Sequence, residues 1–119
     1  MGVQLRSLTG AFYGCSSLTE IVIPEGVTSI GDGAFRGCTS LTSVVIPERV
    51  TSIGGYAFYG CSSLTEIVIP EGVTNIGDYA VYGCTNLTIY CEAEEKPSGW
   101  NINWNSSNSP VVWGYKGEE

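Results

Sequence analysis

Residues 11–33 read AFYGCSSLTEIVIPEGVTSIGDG, and residues 57–79 read AFYGCSSLTEIVIPEGVTNIGDY. They differ at 2 of 23 positions, Ser29 against Asn75 and Gly33 against Tyr79. Residues 34–56 keep the same frame with more changes, among them Arg36, Ser43 and Arg49. Cys15, Cys38, Cys61 and Cys84 mark one position, each 23 residues after the last. A fourth unit opens at Ala80 and breaks off after Ile89-Tyr90-Cys91. Identity at this level over a fixed period of 20–50 residues means stacked coils, because no single unit of that size can bury its own apolar side.

The interior of one unit shows how a coil is built. Leu18-x-x-Ile21-x-Ile23 is followed by Pro24, then Val27-x-x-Ile30, then Ala34-Phe35-x-x-Cys38. Ile21-Val22-Ile23 is β-branched and predicts a strand. Side chains alternate along a strand, so Ile21 and Ile23 point into the core while Glu20, Val22 and Pro24 point out. Pro24 has no N–H for a ladder and should end the strand, and Glu25-Gly26 should turn the chain. Asp32 suits a helix N-cap ahead of a single helical turn carrying Ala34, Phe35 and Cys38 inward, kept short by Gly37. Stacking the units lays Ile21, Val44, Ile67 and Ile89 into one ladder and Phe12, Phe35 and Phe58 into another. The bulkier layer opposite the strands should curve the stack and make the strand face concave.

The L-x-x-L-x-L-P…V-x-x-I-x-x-x-A-F-x-x-C unit resembles the BspA-like leucine-rich repeats of bacterial and protozoan surface proteins, over roughly residues 5–91. The expected fold is therefore a leucine-rich-repeat solenoid. It has parallel β-strands on the concave face, short strands, turns and one-turn helices on the convex side, and a C-terminal cap. The array spans 1–91 (a partial unit 1–10, units 11–33, 34–56 and 57–79, and 80–91), followed by a Trp-rich cap and tail over 92–119. The segment from Ile89 to Tyr115 is also similar to the end of such arrays in gut-associated bacteria. The resemblance implies a secreted or surface-attached protein that adheres to host matrix proteins or other cells, and it carries over no catalytic residue.

The ends differ. Trp100, Trp104, Trp113 and Tyr115 follow the last coil, where a solenoid must cover a bare core, and read as a cap with Val111-Val112-Trp113 as a last strand; a sugar platform built on these rings is the alternative. Leu5-x-x-Leu8-Thr9-Gly10-Ala11-Phe12 reads as the tail of an earlier unit with no cover. The chain is thus expected to be part of a longer array, able to associate end to end through an uncapped N-terminal coil. Met1 to Arg6 contain no signal-peptide run, and no stretch approaches the ~20 apolar residues of a membrane span.

Twelve acidic and five basic side chains give a net charge of −7, which argues against nucleic acid and against anionic membranes. The four cysteines in register read as small buried core residues rather than a disulfide framework, and Cys91 as a fifth. With no histidine in the chain, the usual triads are absent and a zinc site lacks its common ligands. Glu25, Glu48 and Glu71 form a ladder of turn residues expected in solvent, without the D-x-D-x-D-G pattern of a calcium loop. No Gly-rich phosphate loop occurs, and no cofactor is expected.

The remaining candidate is the outward side of the strands: Glu20, Val22 and Pro24; Ser43, Val45 and Pro47; Glu66, Val68 and Pro70; Thr88 and Tyr90. A valine stripe flanked by acids is unusually apolar for an exposed sheet and marks an interaction face, to which Tyr90 adds an aromatic of the kind enriched at binding hot spots. The leading expectation is a protein-binding or adhesion module of a bacterial surface protein, with a matrix or other surface protein as partner and a glycan second. The alternatives are a spacer with no ligand of its own and, at a distance, a carbohydrate-processing protein.

Overall fold

The computed structural model describes residues 7–8, 10 and 12–117. Its strands are β1 (Ser7–Leu8), β2 (Glu20–Val22), β3 (Ser29–Ile30), β4 (Ser43–Val45), β5 (Ser52–Ile53), β6 (Glu66–Ile69), β7 (Asn75–Ile76), β8 (Thr88–Cys91) and β9 (Val111–Trp113). Each 23-residue unit is one coil contributing a longer and a shorter strand, and every pairing is parallel. The short strands form one sheet in the order β1-β3-β5-β7, whereas the longer ones form two, β2-β4 and β6-β8-β9. The interruption falls between β4 and β6, where Thr65 N–H reaches Thr42 O at 3.5 Å while the equivalent bonds on either side are 2.8 and 3.0 Å.

The predicted ladders are present. Ile21 pairs with Val44 and Ile67 with Ile89. Phe12, Phe35 and Phe58 stack at 5.2 Å between ring centres, within 2° and 6° of parallel. Leu41, Leu64 and Leu87, Val27, Val50 and Val73, and Ile30, Ile53 and Ile76 complete a continuous apolar interior. Phe12, Leu18 and Ile21, in the first described coil, are only partly buried, with a full described coil on one side of them.

The expected helical turns are not there: among the described residues no helix occurs, and Ala34–Cys38 and its equivalents are chains of turns. Gly14, Gly37, Gly60 and Gly83 lie at φ +72 to +83, outside the helical region. The N–H groups alternate in direction: those of Ala34, Arg36 and Cys38 close turns to Gly31, Gly33 and Phe35 O at 3.1 to 3.2 Å, whereas Phe35 and Gly37 reach the next coil at Ala57 O and Tyr59 O, both 2.8 Å. Asp32 likewise caps no helix; its Oδ1 accepts the N–H of Gly55 one coil away, at 2.9 Å.

The C-terminal segment closes the stack. Trp100 and Trp104 are buried and Trp113 is partly so, with ring centres 4.7 to 6.4 Å apart. The Trp100 indole donates to Val73 O at 3.1 Å, satisfying the one polar group that its burial would otherwise strand. β9 extends the longer-strand sheet from β8. Asn and Ser side chains of this segment close its turns, as where the Asn105 amide and the Ser109 backbone exchange two hydrogen bonds of 2.9 and 3.0 Å.

Candidate functional site

The outward side of the longer strands carries the predicted row. Val22 lies against Val45 in the β2–β4 register, and Tyr90 of β8 is in register with Val68 of β6 on one side and Val112 of β9 on the other. Val22 is 80% exposed and Val45 64%. Glu20, Ser43 and Glu66 are exposed beside them, and Thr88 is half-buried. Toward the cap the row is partly covered: Val68 and Tyr90 are half-buried, the Tyr90 ring packs against Tyr115 at 4.9 Å, and Val112 is 41% exposed. The structure thus brings Val22 and Val45 together as an open apolar pair and puts Tyr90 at a partly covered end. Val112 and Tyr115 extend the row beyond the residues expected from the sequence.

The prolines depart from expectation. Pro24 is exposed, but Pro47 and Pro70 are buried. The chain turns as each strand ends, with Val50 N–H bonding to Pro47 O and Val73 N–H to Pro70 O, both at 3.2 Å. Both prolines are thereby withdrawn from the exposed strand face. Pro24 has a described coil on one side only, and stays open.

The thiols behave as packing groups. Cys38, Cys61, Cys84 and Cys91 are buried, Cys15 is exposed, and all five are free. The thiols of Cys38, Cys61 and Cys84 donate to the carbonyls of Phe12, Phe35 and Phe58 at 3.0, 3.1 and 3.2 Å. Burial pushes their acidity down: Cys84 and Cys91 are raised to about 12, and Cys38 and Cys61 are raised as well, with desolvation the first cause. Such thiols are protonated at neutral pH and poor as nucleophiles or metal ligands. Among the described residues, no three of His, Cys, Asp and Glu converge on a point where a metal could sit. Glu25, Glu48 and Glu71 stand exposed at their turns.

A second cluster went unread in the sequence. Tyr56, Tyr59, Tyr79 and Tyr82 form a two-by-two array on the turns that join β5 to β6 and β7 to β8, with ring centres 5.2 to 5.6 Å apart. The Arg36 guanidinium lies over its edge, 4.7 Å from the Tyr59 ring centre, 5.1 Å from Tyr56 and 5.8 Å from Tyr13. The signal was available: Tyr13, Arg36, Tyr59 and Tyr82 recur every 23 residues, as do Tyr56 and Tyr79.

Parallel coils with an inward Leu-x-x-Ile-x-Ile ladder and a row of outward strand residues define a leucine-rich-repeat solenoid. The chain belongs to the BspA-type leucine-rich-repeat family, whose repeat-region model matches residues 9–94 in 6 copies. Among solved structures it is similar to a leucine-rich-repeat protein of T. pallidum (30% identity, TM-score 0.70, covering 92% of this chain and 46% of that one). It is similar also to a leucine-rich cell surface protein of Faecalibacterium prausnitzii (44% identity, TM-score 0.70, 79% and 24% covered). A third is a leucine-rich-repeat protein of Eubacterium ventriosum (34% identity, TM-score 0.64, 80% and 26% covered). The chain spans less than half the length of each. No curated protein matches it.

Proposed function

We propose that this chain is a non-catalytic protein-binding module of a bacterial cell-surface protein, engaging its partner through the outward face of the longer strands. The observation that carries this reading is the exposure of Val22 and Val45 side by side, 80% and 64%. Val45 has coils stacked on both sides, so its exposure is not an end effect. Adjacent apolar side chains left in water on a regular sheet mark a contact surface. A surface location is supported by likeness to the F. prausnitzii cell surface protein. The net charge of −7 favours neutral or cationic partner surfaces, and the near-identity of the units favours repeated, multivalent attachment over fine discrimination.

Surface binding of the chain to a panel of extracellular-matrix proteins and glycans, with the Val22→Lys/Val45→Lys variant alongside, tests the reading. Saturable binding that the variant weakens at least about tenfold is expected, the loss of roughly 1.4 kcal/mol of apolar contact. Equal binding by both proteins removes the strand face from the mechanism. Binding by neither replaces it with the spacer reading, which the near-identical units of 11–33 and 57–79 favour.

A further inference from the structure

The tyrosine array lies on different elements from the strand face. Two columns build it. Tyr13, Arg36, Tyr59 and Tyr82 follow one another through the coils, tied by Gly14 N–H to Arg36 O at 2.7 Å, Gly37 N–H to Tyr59 O at 2.8 Å and Gly60 N–H to Tyr82 O at 2.8 Å. Gly33, Tyr56 and Tyr79 form the neighbouring column.

This second column is held in an unfavourable backbone. Tyr56 and Tyr79 have φ of 61° and 53°, and Gly33 at the equivalent place has 65°. The left-handed region is costly for a bulky L-residue and free for glycine. Gly10, 23 residues before Gly33, has φ 64°, so the fold is content with glycine here, and two of the four positions carry a tyrosine against local preference. What the tyrosine adds is a ring at the surface, and strain of this kind gathers at binding sites.

Arg36 shows what such rings hold. Its guanidinium stacks among Tyr13, Tyr56 and Tyr59 within 6 Å of each ring centre, the distance at which a cation is attracted by the ring quadrupole. One coil further on, the column carries tyrosine where Arg36 stood, so among the described residues the rings of Tyr79 and Tyr82 continue the array with no cation stacked on them. With Tyr56, Tyr59 and Ser106 they line a cleft of about 300 Å³, and Tyr82 remains 42% exposed. The surroundings are acidic. Asp32 and Asp78 line the adjoining cleft with Arg36 and Tyr56, and Oδ1 of Asp78 finds no hydrogen-bond donor among the described residues. The whole chain has 12 acidic against 5 basic side chains.

We propose that the array of Tyr56, Tyr59, Tyr79 and Tyr82 is a second ligand site that takes the guanidinium of an arginine-bearing peptide. The cation stacks over Tyr79 and Tyr82 as Arg36 stacks over Tyr56 and Tyr59. A planar guanidinium suits ring faces better than the compact ammonium of lysine, and the acidic surroundings draw cationic segments toward the cleft.

Calorimetric titration of the full chain with acetyl-Gly-Arg-Gly-Arg-Gly-amide, and with the same peptide carrying citrulline for arginine, tests the proposal. Citrulline keeps the planar shape and loses the charge. The arginine peptide should bind about tenfold more tightly than the citrulline peptide. Tyr79→Gly combined with Tyr82→Leu should cost a similar factor. Glycine is the residue of the equivalent position in the first unit, so the variant should fold, which its circular dichroism reports. Equal affinity for the two peptides would overturn the proposal. So would undiminished binding by the folded double variant, which would mark a diffuse attraction to the net charge. Binding of an oligosaccharide or a proline-rich peptide at the array, with none of the arginine peptide, would reassign it to another ligand class and overturn the proposal equally.

Discussion

Repetition of Cys38, Cys61 and Cys84 at one place in the coil has a local cause. The side chain must be small enough to fit beneath the phenylalanine column, and its weak S–H donor meets the carbonyl of the phenylalanine 26 residues earlier. Burial makes these thiols inert, whereas Cys15 in the first described coil is exposed. Treatment of the native protein with Ellman's reagent should therefore modify one thiol of five quickly, and Cys15→Ser should remove that phase. The same burial predicts an alkaline limit to stability. In the unfolded chain a thiol titrates near its ordinary value of 9.0, while folded Cys84 and Cys91 hold their protons to about 12. Between those values the unfolded state binds fewer protons than the folded one, so stability falls as pH rises, by up to about 1.4 kcal/mol per pH unit for each such thiol. Below pH 9 these groups contribute no slope. Cys91 stands in register between Ile69 and Trp113, among apolar neighbours, so Cys91→Val should fold normally and flatten the alkaline slope by one proton's worth. Denaturant unfolding at pH 8, 9.5 and 10.5 reads both effects, and an unchanged slope in the variant would count against a buried, protonated Cys91.

At the scale of the element, glycine decides where coils can touch. A Cβ on Gly54 would stand 2.5 Å from the backbone nitrogen of Asp32, whereas one on Gly72 would meet nothing closer than 3.8 Å. Gly54→Ala should accordingly lower the unfolding free energy by more than about 2 kcal/mol, an overpacking cost taken by backbone against backbone. Gly72→Ala should be neutral or stabilising by up to about 1 kcal/mol through loss of unfolded-state freedom. Thermal unfolding of the two variants side by side checks the contrast. The same close stacking separates what was legible in the sequence from what was not. Alternation in Glu20-Ile21-Val22-Ile23 predicted the strand and its two sides, because a strand's facing depends on its own residues and on a period of two. Val22 and Val45 were found in the open for that reason. The stretch Ala34–Cys38 was misread as a helical turn because its apolar spacing fits one, while the partners of the Phe35 and Gly37 N–H groups lie a coil away, outside any local pattern. Pro47 and Pro70 were misplaced for a related reason: the strand rule was extended past the end of the strand, where the chain had already turned. The tyrosine array needed two columns to be seen as neighbours, and the backbone conformation of Tyr56 and Tyr79 has no signature in residue type.

On the scale of the whole molecule, the stack is nearly one-dimensional: each coil touches those before and after it, and stability is close to a sum of coil and interface contributions. The burial of equivalent residues follows this order. Ile21 is partly covered, and Val44, Ile67 and Ile89 are 6%, 1% and 0% exposed. The terminal interface at the cap is the densest in aromatic surface, with Trp100 lodged under Trp104 and Trp113 and hydrogen-bonded to Val73 O. Trp100→Ala should cost about 3–5 kcal/mol, the range for losing a buried large aromatic, a large share of the 5–15 kcal/mol that holds a domain together. Because neighbours carry the coupling, the loss should not be spread evenly. Trp100 bridges to Ile76 at the end of β7, so amide exchange should quicken first in β7 and β8 and least in β3. Hydrogen exchange of the variant, resolved by segment, reads this directly. A gradient falling from β8 toward β3 would establish coil-by-coil stability, in which the open valines of the first coils answer to local packing alone. Uniform acceleration would mean that the chain unfolds as one unit, and that the cap sets the stability of the valine face at the opposite end of the stack.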